Sequence, residues 1–167
     1  MSYIERKTFN ANLNEIFKKS KELNDNWQLI STDKSEVIYL EKKEQAFSST
    51  HNDIHSFVYN VVYSESFEVP VFYLNAYKSN GSQLEFTEIY KHFKLESDLL
   101  ILTQQEHPIL FKPFYFLHPC KTAEWMASTI QNASGSTTAG SNYTLKWLSF
   151  VCFALNISFD YLKYIQQ

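Results

Sequence analysis

Apolar positions along the chain first change period near residue 27. Between residues 8 and 24, Phe9, Leu13, Ile16, Phe17 and Leu23 recur at helical spacing with Lys and Glu between them. That spacing puts the apolar side chains on one face and predicts an amphipathic helix, with Thr8 as its N-cap. From Trp27 the pattern is that of strands. Trp27 to Ile30 and Val37 to Phe47 are separated by Ser31 to Ser35, and Phe57 to Phe67 and Val71 to Tyr77 are dense in aromatic and β-branched residues. Such residues suit a pleated, half-buried surface. A short connection at Glu68 to Pro70 predicts a hairpin, and Asn80-Gly81 predicts a turn in which glycine supplies a positive φ.

The second half mixes patterns. Phe86 to Phe93 predicts a short helix, and Leu99 to Thr103 an extended piece. Gln104 to Cys120 contains Pro108, Pro113 and Pro119 among Ile109, Leu110, Phe111, Phe114, Tyr115, Phe116 and Leu117. Proline removes backbone donors and disfavours helix just before it. This stretch therefore predicts an extended or looping segment lying on the core. A helix follows from Thr122 to about Asn132, then a Ser/Gly/Thr-rich loop from Ala133 to Ser141. An apolar helix over Tyr143 to Leu155 and a short piece near Ser158 to Tyr164 end the chain. One helix, a run of antiparallel strands and closing helices predict an α+β fold.

Composition narrows the function. The 167 residues are 44% hydrophobic and 20% charged, which suits a single folded domain over residues 1–167 rather than a disordered chain. The net charge is −3 and Arg6 is the only arginine, against the clustered basic surface of a nucleic-acid binder. No apolar run reaches the roughly 20 residues of a membrane span. Two cysteines, Cys120 and Cys152, form no disulfide framework, and the charged start lacks the apolar stretch of a signal peptide. These features point to a reducing, cytoplasmic setting.

Candidate chemistry gathers at Leu117-His118-Pro119-Cys120-Lys121-Thr122. Cys120 falls where an extended segment meets a helix start. A helix N-terminus and the neighbouring Lys121 both favour thiolate, the nucleophilic form. The same residue also fits a buried structural cysteine. His118 reads as a positioning residue that bonds to backbone, ahead of a general base. Cys152, inside an apolar helix, reads as core. No metal-ligand spacing joins Cys120, His118, His107 and Cys152, and there is no glycine-rich phosphate loop.

Three blocks carry a resemblance: Thr103-Gln104-Gln105-Glu106-His107-Pro108-Ile109-Leu110, Pro113-Phe114, and Leu117 to Thr122, with Tyr63-Ser64, Phe67 and Pro70 before them. Together they resemble the autophagy ubiquitin-like-conjugating enzymes, over roughly Val58 to Leu162. The likeness is stronger to the compact branch than to the sister enzymes, which have long insertions and a basic pair in place of Lys121-Thr122. The resemblance implies a variant ubiquitin-conjugating-enzyme fold, with an N-terminal helix, an antiparallel β-sheet and C-terminal helices. It implies that Cys120 accepts the modifier autophagy-related protein twelve as a thioester from the activating enzyme, autophagy-related protein seven. The modifier would then pass to a lysine of autophagy-related protein five. No cofactor is implied, since ATP is used only by the activating enzyme.

Classical conjugating enzymes hold their tetrahedral oxyanion with the Asn of a His-Pro-Asn motif, which this chain lacks. His118, Tyr63 and backbone amides near Cys120 are the candidates for that donor, with Pro119, Lys121 and Thr103 as supporting residues. Two other readings predict different behaviour. A cysteine hydrolase or deconjugating enzyme would pair Cys120 with His107 or His92 and cleave a modifier fusion without ATP. A non-catalytic binding module would be indifferent to Cys120→Ala. Strands within Val58 to Tyr77 are expected to offer an edge to a partner.

Overall fold

The computed structural model describes residues 3–34, 36–48, 52–95, 101–132 and 142–166. Helix α1 (Arg6–Leu23) buries Phe9, Leu13 and Ile16, the face its periodicity defines. It starts earlier than the sequence suggests. Glu5 is the N-cap, with extended backbone and no side-chain capping bond, so Thr8 lies in the first turn rather than ahead of it. The helix stops at Asn24, whose left-handed backbone (φ 55°) lets its N–H reach back to Lys21 and Ser20.

Strands β1 (Gln28–Ser31), β2 (Ile38–Ser48), β3 (Asp53–Ser64), β4 (Val69–Tyr77), β5 (Leu102–Glu106) and β6 (Pro113–Leu117) form one sheet, in the order β1-β2-β3-β4-β6-β5. Every pairing is antiparallel. Alternation along the strands gives the sheet two apolar faces. Leu40, Phe57, Tyr59, Val61, Phe72 and Leu74 join the main core with α1 and α4 (Tyr143–Ala154). On the other face Tyr39, Val62, Val71, Tyr73, Phe114 and Phe116 form a second cluster, covered by Ile109 and Leu110.

One expectation sharpens here and one changes. Gln104 to Cys120, read as extended or looping, is mostly a β-hairpin lying on the core. Its prolines punctuate: Pro108 lies in the turn, Pro113 opens β6, and Pro119 opens α3 (Pro119–Asn132), where a missing N–H costs nothing. And Val58 to Tyr77 offers no edge. It forms parts of β3 and β4, both interior, while β1 and β5 are the outer strands. The β3–β4 connection is a turn over residues 65–68, so Phe67 sits in it and Pro70 is already paired with Tyr63.

Helix α2 (Phe86–Phe93) keeps the predicted limits, closed by a Glu85–Glu88 capping box. At Asn80-Gly81 the turn is present, with Gly81 at φ 83°. Helix α5 (Tyr161–Ile165) completes the chain. The 133–141 loop, Ser35 and the start of the extended piece at Leu99 lie outside the described residues. Among the described residues, no helix is long and apolar enough to cross a membrane.

Candidate active site

Strand β6 and helix α3 meet at the candidate nucleophile. Strand β6 delivers Leu117 into the core, His118 ends the ladder, and Cys120 is the second residue of α3. The junction is fixed on both sides. His118 donates its backbone N–H to the Ile101 carbonyl at 2.8 Å, which extends β5–β6 pairing to the site's edge. Thr122, buried, donates its hydroxyl to the Pro119 carbonyl at 3.0 Å and tightens the first helical turn. Pro119 is buried, and its ring pre-sets the φ that the first helical residue needs. Cys120 is a free, half-buried thiol.

The imidazole of His118 has a defined task. Its Nδ1 accepts the backbone N–H of Cys120 at 3.3 Å. An Nδ1 that accepts is unprotonated, so in the neutral ring the proton resides on Nε2. The sequence reading expects His118 to bond to backbone, and this bond is of that kind; the accepting Nδ1 also sets the tautomer of the neutral ring. Two aromatic rings flank the imidazole edge-on: Phe67 of the β3–β4 turn at 5.7 Å and Phe116 of β6 at 6.2 Å.

The other sequence candidates are distributed differently. Tyr63 donates its hydroxyl to the Ile4 carbonyl at 2.9 Å, and its ring lies against Phe9 and under the Arg6 guanidinium. Burial, with Glu68 nearby, raises its phenol above the ordinary value. That proton is committed to holding the segment before α1. Lys121 pairs with Glu124 at 3.7 Å, one turn along α3. Thr103 is exposed on β5, opposite Phe116 in the ladder.

The histidines of the hydrolase reading have structural work. His107 is fully buried. Its Nδ1 accepts the N–H groups of Ile109 (3.2 Å) and Leu110 (3.1 Å), capping the β5–β6 turn between Tyr73 and Phe114. Burial pushes its pKa down to about 4, against a weaker upward pull from Glu41. His92 stacks on Phe57 at 4.3 Å, and burial, with His55 beside it, lowers its pKa. Cys152 has no exposed surface, and burial drives its thiol far above the free value, as the core reading expects. Among the described residues, no three His, Cys, Asp or Glu side chains converge as metal ligands.

Beside the site, on the outer sheet face, runs a groove of about 750 Å³. Tyr63, Tyr73, Ile109 and Phe111 line it, together with Phe67 and Phe116, the two rings that flank His118. Phe111 is 73% exposed and left-handed (φ 51°), a conformation bulky residues rarely adopt. Three partners at the junction have no role in the sequence reading: Ile101, Phe67 and Thr122. Thr122 and Phe67 are among the quoted residues but carry no role there; Ile101 is not among them and reaches the site through its pairing with His118.

Residues 3–160 match the family described as autophagocytosis-associated protein, active-site domain. Three similar proteins are each named ubiquitin-like-conjugating enzyme ATG10. The one from Homo sapiens is 38% identical over 125 residues, 70% of this chain and 56% of that protein. The one from Arabidopsis thaliana is 36% identical over 109 residues (60% and 48%), and the one from Dictyostelium discoideum 36% over 124 (64% and 54%). The chain thus spans about half the length of these relatives. The crystal structure of the autophagic E2 Atg10 superposes with a TM-score of 0.65 at 15% identity, covering 95% of this chain and all of that one. The solution structures of KmAtg10 give 0.50 at 14%, over 89% and 95%. These likenesses show the fold: an N-terminal helix, an antiparallel sheet and closing helices in the arrangement of an autophagic E2.

Proposed function

The chain belongs to the autophagocytosis-associated, active-site-domain family, and from that premise we propose that it is a ubiquitin-like-conjugating enzyme of autophagy with Cys120 as its acyl carrier. The observation that carries the reading is the junction itself. A half-buried thiol starts a helix, and the imidazole two residues earlier is locked by that thiol's own backbone amide.

The chemistry runs in two balanced steps. In the first, Cys120 Sγ attacks the carbonyl carbon of a modifier held as a thioester on the activating enzyme. A new S–C bond forms, the old one breaks, and the Cys120 thiol proton leaves with the departing sulfur. In the second, a lysine amine of the acceptor attacks the same carbon. The N–C bond forms, the Cys120 S–C bond breaks, and the amine's proton restores the thiol. Each step passes through an oxyanion. The Nε2–H of His118 is the donor we assign to it, in place of the absent Asn. Helix α3 adds its N-terminal partial positive charge. Tyr63, whose hydroxyl is engaged by Ile4, supports the site through the chain segment it anchors.

The partners proposed are autophagy-related protein twelve as modifier, autophagy-related protein seven as activating enzyme and autophagy-related protein five as acceptor. The reaction takes place in the cytoplasm, with residues 1–167 acting as one conjugating domain. It needs no cofactor here, because ATP is spent by the activating enzyme alone.

The test is to combine the chain with activating enzyme, ATP and modifier and to run a non-reducing gel. The expected result is an adduct of the two masses that thiol reverses, that becomes thiol-resistant in Cys120→Ser, and that is absent in Cys120→Ala. No adduct with a demonstrably active activating enzyme overturns the reading. ATP-independent cleavage of a modifier fusion would replace it with the hydrolase.

A further inference from the structure

We propose that Phe67 is a positioning residue for His118, and that the β3–β4 turn acts as a brace holding the imidazole against the Cys120 amide. The consequence for acyl transfer rests on the conjugating reading above; the positioning itself does not.

The turn's own construction supports this. It connects two interior strands at their ends and has no core side chain to place at its tip. Phe67 is nevertheless there, 48% exposed, with its ring edge-on to His118 (5.7 Å, 68° between planes). Half-exposed apolar residues are ordinary on a surface, and what marks Phe67 is its ring contact with the His118 imidazole. The turn is pinned at several points. The N–H of Phe67 is donated to Ser64 Oγ at 3.3 Å, and that of Glu68 to the Ser64 carbonyl at 2.8 Å. Glu68, at φ 52°, accepts the N–H of Ile4 at 2.9 Å. Ile4 in turn accepts the Tyr63 hydroxyl. Arg6 forms an ion pair with Glu65 and covers the Tyr63 ring. The segment before α1 therefore clamps the turn, and the turn presents Phe67.

The imidazole also meets Phe116, a buried residue of β6 two positions before it. Phe67 is the contact that a different part of the chain contributes, and so the one that can shift independently. With both rings in place, the imidazole is confined to the plane in which Nδ1 faces the Cys120 N–H. Without Phe67, that side of the ring is open to the groove. The ring can then turn away, release the amide and exchange its tautomer.

The test has two readouts on the full chain, with Phe67→Ala, Phe67→Tyr, His118→Ala and the Phe67→Ala/His118→Ala double variant. The first is the ¹⁵N spectrum of the His118 imidazole in the resting protein, at a pH where the ring is neutral. We expect one tautomer, protonated at Nε2, in the wild type and in Phe67→Tyr, and a mixture in Phe67→Ala. An unchanged tautomer in Phe67→Ala overturns the proposal. The second is discharge of preloaded thioester to free lysine. Loss of one aromatic contact should slow it about 2- to 10-fold in Phe67→Ala. Phe67→Tyr should restore the rate, and the loss should vanish in the His118→Ala background. An equal loss in both backgrounds would make Phe67 a wall of the groove and overturn the positioning role. If the wild type never loads, the conjugating reading fails and the imidazole spectrum alone decides this proposal.

Discussion

The backbone N–H of Cys120 is donated to Nδ1 of His118, two residues before it, at 3.3 Å. This short-range bond joins the last residue of a ladder to the first turn of a helix. It sets the ring's orientation and its tautomer together. It leaves the neutral ring's proton on Nε2, the donor proposed above for the oxyanion.

Replacing His118 separates a donor from a base. In His118→Ala, discharge of the thioester to an amine should slow about 100-fold, the usual scale for removing one oxyanion donor, while thioester still forms. His118→Gln keeps an N–H and should stay within about 10-fold of wild type. Single-turnover discharge of preloaded enzyme measures both. A Gln variant as slow as Ala would assign His118 to proton abstraction instead.

His107 should make stability fall in mild acid. Its folded pKa, about 4, lies below the unfolded value near 6.5, so the unfolded chain binds the proton more readily. The contribution is therefore complete above about pH 6.5 and is lost progressively as pH falls toward 4. It amounts to about 3 kcal/mol at most. Urea unfolding between pH 7.5 and 4.5 should show the loss. His107→Gln should start lower, having weakened the cap on Ile109 and Leu110, and should fall less steeply. Parallel curves would clear His107 of the effect.

Asp25 holds the C-terminal helix to the sheet. One carboxylate oxygen accepts Lys42 Nζ at 2.7 Å and the other accepts the Tyr164 hydroxyl at 2.6 Å. The Lys42 side chain is only 8% exposed. Asp25→Ala strands a buried ammonium and a buried hydroxyl together, at a cost of about 3–5 kcal/mol. Adding Lys42→Met to Asp25→Asn removes the stranded charge and leaves an acceptor for Tyr164. That double variant should unfold at higher urea than Asp25→Ala, and a midpoint no higher would contradict the account.

What could be read from the sequence follows how locally each feature is determined. Helix α2 has its predicted limits because Phe86, Ile89 and Phe93 repeat on one face between clear boundaries. The β5–β6 hairpin and the start of α3 were obscured by their prolines. Three in one stretch argue against regular structure, yet each occupies a turn, a strand start or a helix start, where proline is tolerated. The predicted start of α3 at Thr122 misses Pro119 for the same reason, although the cysteine's place near a helix start was legible. Which strands are outermost was not, because sheet order is set by pairings between distant segments. Nor was the contact of Phe67, quoted above only for the resemblance, with His118: the two meet because β4 lies beside β6.

The two cysteines differ as chemical handles. Cys152 is fully buried in the main core, and burial holds it protonated. Cys120 stands partly open at the head of its helix. An alkylating reagent therefore meets one quick thiol and one that reacts only when the fold opens. The native chain can carry a single fluorophore, or a stable mimic of its loaded state, with no cysteine engineered away. The slow thiol then serves as a built-in clock for unfolding.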